Sequence, residues 1–161
     1  MSQAEKAAGP VAIDPMTVDL RIGSGYPDPF AADCAEREKR ALGDAFGLTH
    51  FGVNLVRLTP GTMSSQRHWH TKEDEFVYVL EGELVLVTDE GEQVMTPGMV
   101  AGFPAGAENG HHLVNRSDGD ALYLEIGDRQ DGDEVDYPDI DMQVKWIDGR
   151  RRYVHKDGTP Y

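Results

Sequence analysis

The sequence predicts an all-β fold of the double-stranded β-helix, or jelly-roll, type. From residue 48 onward, short segments rich in aliphatic and aromatic residues alternate with turn residues at short intervals, a pattern typical of β-sandwiches and barrels. At least seven such segments are present, enough strands for a jelly roll. Polar or glycine-containing turns at 89–92 and 116–120 join neighbouring segments as hairpins.

Residues 1–47 are expected to form an irregular N-terminal arm. Residues 1–29 show little periodicity, and Pro27-Asp28-Pro29 is incompatible with a regular element. The segment from Phe30 to Leu42 is rich in helix formers and predicts a short helix that ends near Gly43.

Residues 48–127 contain the predicted strands of the barrel. Each strand ends at glycine, proline or polar turn residues, and alternate side chains of one strand should face opposite sides of the sheet. The predicted strands are Phe51–Leu58, Phe76–Leu80, Leu84–Thr88, Gln93–Met95, Met99–Phe103, His111–Asn115 and Ala121–Ile126.

Residues 128–161 are expected to form a C-terminal tail of the same single domain. The tail begins with an acidic, turn-prone stretch and then offers one short apolar segment, Val144–Ile147. Such a tail cannot form a core alone, so it should pack on the barrel or on a second subunit. The basic run Arg150-Arg151-Arg152 is interpreted as a solvated turn that pairs with nearby carboxylates.

The composition favours small-molecule ligands over nucleic acids or membranes. The 161 residues carry a formal net charge of −14, whereas binding to phosphate backbones or anionic lipids depends on basic residues. No apolar run approaches the roughly 20 residues of a membrane span, and no signal peptide is recognised at the start. The sequence has a single cysteine, Cys34, so no intramolecular disulfide can form. This agrees with a reducing compartment, and we therefore expect a cytoplasmic protein.

A candidate metal site begins at His68-Trp69-His70. Residues i and i+2 of a strand share a face, so His68 and His70 can point together while Trp69 points away. The polar residues 71–74 can form a turn, after which Glu75 can open the next strand with its carboxylate directed at the imidazoles. A fourth ligand is available from His111 or His112 downstream.

Together these segments resemble the paired motifs of the cupin superfamily. The first motif is matched by Gly61, His68, His70, Glu75 and Gly82, and the second by Gly98, Pro104, Gly106, His111 and Asn115. The gap between Gly106 and His111 is longer than the family pattern, which leaves His112 as a rival ligand. The spacing to Asn115 favours His111, since strand parity would place His112 on the opposite face.

The resemblance implies a cupin barrel that binds one divalent metal ion through His68, His70, Glu75 and His111. Imidazole and carboxylate ligands suit Zn, Fe or Mn, with Ni and Co as further candidates. The glycines of the motifs and Asn115 are interpreted as turn residues.

Strand alternation places further polar residues at the pocket. Gln66 shares the parity of His68 and is a candidate for assisting proton transfer, while Tyr123 and Glu125 could orient a substrate or be structural, as could Arg57. The resemblance to cupins implies a small metal-dependent enzyme acting on a sugar derivative or organic acid, by isomerase, lyase or dioxygenase chemistry.

Two alternatives to an enzyme remain at this stage. The first is a ligand-binding or sensing module without turnover, although no helix-turn-helix pattern accompanies it. The second is a structural protein whose metal only stabilises the fold. In each case the apolar side chains of Phe76, Tyr78 and Leu80 on the outer face should be shielded from solvent. We expect the N-terminal arm or a partner subunit to lie over them, and we expect a homodimer.

Overall fold

The computed structural model describes residues 11–161, which fold into thirteen strands, two 3-10 turns and one short helix. Residues 1–10 of the predicted arm lie outside the described residues. The strands are β1 Leu20–Ile22, β2 Glu38–Ala41, β3 Phe51–Leu58, β4 Trp69–His70, β5 Glu75–Glu81, β6 Leu84–Thr88, β7 Gly91–Met95, β8 Val100–Phe103, β9 His112–Val114, β10 Ala121–Asp128, β11 Val135–Tyr137, β12 Met142–Ile147 and β13 Arg150–Val154. The helix, α1, spans Leu42–Ala45, and the fold class is all-β as predicted.

Two antiparallel sheets enclose the main core. The larger has the strand order β1-β2-β3-β10-β5-β8, and the smaller has the order β7-β6-β9. The hairpin predicted at 116–120 is wrong, because this turn connects β9 of the smaller sheet to β10 of the larger one. Alternation along the strands turns one face of each sheet inward. The buried core cluster comprises Val56, Leu58, Val77, Val79, Leu84, Leu86, Met95, Leu113, Ala121 and Tyr123.

The C-terminal tail forms a third sheet together with a barrel strand. Its order is β13-β12-β11-β4, and β11 pairs directly with β4, with Val135 opposite His70. This sheet has its own apolar cluster around Tyr137 and Met142, against which Tyr26 and Phe30 of the arm pack. The tail and the arm therefore meet next to the strand that carries His70.

The predicted helix from Phe30 to Leu42 is wrong over most of its length. Ala32–Cys34 forms a single 3-10 turn, and β2 follows it, paired with β1 on one side and β3 on the other. Helix propensity is a weak preference, and the hydrogen bonds offered by the neighbouring strands override it here. The short helix α1 begins at Leu42, where the predicted helix was expected to end.

The basic run after residue 149 is a strand, not the predicted turn. β12 and β13 form a hairpin in which Ile147 lies opposite Arg150. Its two connecting residues, Asp148 and Gly149, have φ values of 51° and 71°, as the tight two-residue hairpin turn requires. No helix among residues 11–161 is long and apolar enough to cross a membrane.

Candidate metal centre

Three histidine side chains converge on the carboxylate of Glu75. The Nε2 atom of His111 lies 2.6 Å from Oε2 of Glu75, and Nε2 of His68 lies 3.4 Å from the same oxygen. Nε2 of His70 lies 3.5 Å from Oε1. All four side chains are largely buried, so their charges interact in a medium that screens them poorly.

The local backbone explains this convergence. His70 ends β4 and Glu75 begins β5, so the turn at 71–74 directs both side chains inward. His68 and His111 form an isolated antiparallel bridge, in which each backbone N–H donates to the other's carbonyl, at 3.2 and 2.9 Å. The two motifs of the sequence are thereby joined by backbone hydrogen bonds.

The opposite ring nitrogen of each histidine is held by an oxygen atom. Nδ1 of His68 lies 2.8 Å from the carbonyl oxygen of Gln66, and Nδ1 of His111 lies 3.2 Å from that of Asn109. A carbonyl oxygen can only accept, so Nδ1 carries the hydrogen and the Nε2 lone pair faces Glu75 in the neutral ring. The third histidine is held by a carboxylate.

That carboxylate belongs to Asp133, which is fully buried. Its Oδ2 accepts from Nδ1 of His70 at 2.7 Å, and its Oδ1 accepts from the backbone N–H groups of Lys72 and Glu73 at 2.9 and 3.2 Å. These bonds outweigh the cost of burial and lower the pKa of Asp133. Asp133 therefore fixes both the His70 ring and the turn that leads to Glu75.

Lone pairs that face a carboxylate repel it unless positive charge lies between them. In the protein alone, protons supply that charge. Burial lowers the pKa of His70, but its bonds to Asp133 and Glu75 outweigh burial and raise it to about 10. Burial opposes ionisation of Glu75, yet the three histidines hold its pKa well below the usual range. A divalent cation satisfies the same donors without protons, so the residues fit a metal ion.

His111, and not its neighbour His112, contacts Glu75. The imidazole of His111 stacks on Phe103, with ring centroids 3.6 Å apart and planes inclined by 3°. Nδ1 of His112 instead lies 2.9 Å from the carbonyl oxygen of Ser65. The strand alternation that separated the two histidines in the sequence is thus reproduced in the structure.

Comparisons with known proteins show the family to which the chain belongs. The family model described as “Cupin domain” matches residues 54–127. A sugar phosphate isomerase of the cupin superfamily from Silicibacter pomeroyi is 49% identical, with coverage of 93% of this chain and 96% of that one and a TM-score of 0.89. The chain belongs to the cupin superfamily.

Two further solved structures are less similar to this cupin. A proposed sugar phosphate isomerase from Acidithiobacillus ferrooxidans is 35% identical over 79% of this chain and 81% of that one, with a TM-score of 0.71. A predicted oxalate decarboxylase from Thermotoga maritima shares the fold at 19% identity and a TM-score of 0.60, over 74% and 99% of the two chains. No curated protein matches the sequence.

Gln66 does not take the place in this cupin that strand parity predicted. Its side-chain amide donates to the carbonyl oxygen of Phe30 at 3.0 Å and to Oδ2 of Asp33 at 3.1 Å. Its backbone N–H reaches the Tyr26 hydroxyl at 3.3 Å. Residues 59–68 do not form a regular strand, so alternation from His68 back to Gln66 fails. Gln66 therefore links the arm to the barrel through these hydrogen bonds.

Tyr123 and Glu125 face the barrel interior from β10. Tyr123 is fully buried, and its hydroxyl has no hydrogen-bond partner among residues 11–161. Glu125 lies 2.7 Å from Nζ of Lys39 and accepts from Nδ2 of Asn54 at 3.0 Å. Burial raises the pKa of Glu125, but Lys39 outweighs burial and the net shift is downward. Both residues share with Glu75 the lining of a small internal space.

Arg57, also considered from the sequence, lies on the other face of the sheet. Its guanidinium pairs with Glu38 at 2.6 Å and with Asp120 at 3.0 Å, and it is well exposed. It stabilises strand pairing and takes no part in the centre.

A large cavity of about 660 Å³ adjoins the histidine cluster. His70 and Glu75 contribute to its wall, as do Lys39, Asn54 and Glu125 from the inner face of the larger sheet. Its volume lies within the range of small-molecule sites. The end of β10 and the following residues 129–131 form another part of the wall, and the tail hairpin of β12 and β13 contributes Trp146, Arg150 and Arg151.

Asp133 and this tail wall are the parts of the site that sequence analysis missed. Asp133 lies in a stretch with many acidic residues, and the sequence does not distinguish it from the other carboxylates there. The nearest signal was its position two residues before Val135-Asp136-Tyr137, an alternating segment typical of a strand. That signal indicates a strand, but it does not reveal which histidine the carboxylate meets.

Proposed function

We propose that this cupin is a metal-dependent enzyme that isomerises a small sugar derivative. One observation carries the proposal: three Nε2 lone pairs converge on one carboxylate, each Nδ1 is held by an acceptor, and His70 and Glu75 of this cluster line the large cavity. Such outer hydrogen bonds orient histidine ligands and increase their basicity. The donors adjoin a cavity that a small molecule can enter.

The ligands of the metal would be His68, His70, Glu75 and His111. This donor set suits Zn, Fe or Mn and also accommodates Ni or Co, and it leaves coordination positions for a substrate. A bound ion would polarise a carbonyl or hydroxyl oxygen of the substrate as a Lewis acid.

Glu125 is the best placed group to move a proton. Isomerisation of an aldose to a ketose removes a proton from the hydroxyl-bearing carbon next to the carbonyl and returns one to the former carbonyl carbon. Lys39 keeps Glu125 ionised and therefore able to accept that proton. The unpartnered hydroxyl of Tyr123 can donate a hydrogen bond in the same inner space.

The similarity to the sugar phosphate isomerase of Silicibacter pomeroyi supports this reaction class. The likeness extends over nearly the whole of both chains, so it includes the arm and tail that form walls of the cavity. Oxalate decarboxylase chemistry has weaker support, because that relative shares only the fold.

The first test is the metal content of the purified protein and of three histidine variants. We expect one metal ion per chain in the wild type and in His112→Ala, and little metal in His70→Ala and His111→Ala. The His112 variant is the matched control because its ring bonds to Ser65 and not to Glu75. An intact metal content in both ligand variants would contradict the assignment.

The second test is turnover. Metal-loaded protein is incubated with aldose and ketose phosphates in D2O and followed by proton NMR. Isomerisation exchanges the transferred hydrogen with solvent, so the signal at the carbon next to the carbonyl should fade, and Glu125→Gln should slow this loss about 100-fold or more. Sugars that stay unchanged and unlabelled after long incubation would indicate a binding module.

A further inference from the structure

The wall of the 660 Å³ cavity carries four lysine or arginine side chains and five carboxylates, in a protein whose net charge is −14. Three of the four basic side chains are neutralised by ion pairs within the chain. Lys39 pairs with Glu125, Arg129 with Asp44, and Arg151 with Glu73 and Asp133. Arg150 differs, since no carboxylate of residues 11–161 lies within 4.0 Å of its guanidinium.

The position of Arg150 is fixed by the hairpin that precedes it. Asp148 and Gly149 both have positive φ values, and Arg150 pairs with Ile147 as the first residue of β13. Two-residue hairpins of this type match the twist of their strands and hold them rigidly. The backbone of Arg150 is therefore already in place before a ligand arrives, which reduces the ordering cost of binding.

Arg151, the next residue, has N–H donors that its ion pairs do not use. Its bonds to Glu73 and Asp133, at 2.7 and 2.9 Å, both use Nη2. Its Nε and Nη1 groups make no hydrogen bond to the described part of the chain. A guanidinium presents five N–H donors in a planar fork that matches phosphate oxygens. The hairpin thus offers a free guanidinium and part of a second one at the cavity that His70 and Glu75 line.

We propose that Arg150, assisted by Arg151, binds the phosphate group of a phosphorylated sugar while the sugar end reaches the metal centre. This inference rests on the proposed function and names its substrate class. The overall negative charge of the protein repels anions, so an anionic substrate needs a local cation, and Arg150 supplies it. The cavity is large enough for a sugar phosphate.

The test compares the wild type with Arg150→Gln and with Arg116→Gln. Arg116 is the matched control, because it is an exposed arginine that pairs with Glu92 and does not line the cavity. Binding of inorganic phosphate, glucose 6-phosphate, gluconate and glucose is measured by titration calorimetry. Each titration uses metal-loaded protein and is repeated after EDTA treatment, which separates phosphate held by arginine from phosphate held by the metal.

We expect Arg150→Gln to weaken binding of phosphate and glucose 6-phosphate by at least about tenfold, as loss of a charged hydrogen bond predicts. Glucose binding and metal content should not change, and Arg116→Gln should match the wild type. Equal phosphate affinity in Arg150→Gln and wild type would overturn the proposal, as would an Arg150 effect confined to gluconate. Turnover and metal content are measured separately, so failure of the proposed function is distinguishable from failure of this inference.

Discussion

At the scale of single residues, Asp133 connects the tail to the proposed ligands. Its two oxygens receive the His70 ring and the backbone of the turn before Glu75, so one buried carboxylate positions two of the four donors. Arg151 also donates to it, at 2.9 Å. Because its oxygens accept from the His70 ring and from the turn backbone, we infer that Asp133 acts as a positioning residue.

We predict that Asp133→Asn lowers metal affinity about 10- to 100-fold. An amide has one acceptor oxygen, so it cannot accept from His70 and from the turn together, and its NH2 group faces one of the donors. Affinity is measured with Zn²⁺ in competition with a chelator. Visible absorption of the Co²⁺-loaded protein reports whether the ligand geometry has changed.

The control for this substitution is Asp139→Asn. Asp139 is another tail carboxylate, but it is exposed and pairs with Arg67 at 2.7 Å. Its loss should leave the Zn²⁺ affinity and the Co²⁺ spectrum as in the wild type. If Asp133→Asn also kept both, the positioning role would be refuted.

That His68 and His70 meet Glu75 could be anticipated from the sequence, because these three residues lie close together along the chain. His68 and His70 are two residues apart, and only the polar turn at 71–74 separates them from Glu75, so alternation and turn length predict that they meet. Gln66 shows the limit of that reasoning, since the chain before His68 is irregular and the amide turns to the arm. The role of Asp133 could not be predicted from the sequence, because its contact with His70 depends on how the tail folds back onto β4.

At the scale of elements, the turn at Gly82 between β5 and β6 packs closely against the start of β10. Gly82 has a φ of +76°, and a Cβ atom built there would lie 2.7 Å from the Cα atom of Ala121. A side chain at this position is therefore both conformationally strained and too close to another backbone. Gly98 is the useful contrast, with a φ of +91° and open space around it.

We predict that Gly98→Ala lowers the free energy of unfolding by about 1 kcal/mol, the cost of a positive φ alone. Gly82→Ala should lower it by about 1 to 3 kcal/mol more, because the start of β10 must also move. Urea denaturation of the two variants at equal metal loading measures the difference. If both variants lowered the free energy of unfolding equally, the close contact between residue 82 and Ala121 would be relieved at no energetic cost, which would contradict this prediction.

The strands of the central region were predictable, whereas those of the tail were only partly so. β3, β5 and β6 carry strong β-forming residues and clear turn signals. β13 begins with three arginines, which suggest a solvated surface, and its strand structure comes from pairing with β12. β2 likewise owes its conformation to its neighbours β1 and β3. Such elements depend on partners distant in sequence, which local propensity does not report.

At the scale of the whole molecule, the outer face of the larger sheet carries an exposed apolar surface. Phe76 and Tyr78 of β5 are 39% and 38% exposed, and Val100 of β8 is 51% exposed. Tyr78 lies opposite Val100 on one side and Leu124 on the other, so these side chains are contiguous. The described part of the arm leaves them uncovered. The homodimer predicted from the sequence would bury this surface.

We predict that the protein sediments as a dimer at micromolar concentration and that Val100→Glu shifts it to a monomer, because the new charge would have to be desolvated in the interface. Val94→Glu is the matched control: Val94 is 50% exposed but lies on β7 in the smaller sheet. Since two chains of charge −14 repel each other, added salt should tighten the wild-type dimer. A wild-type monomer at micromolar concentration, or dissociation by both substitutions alike, would contradict an interface on this face.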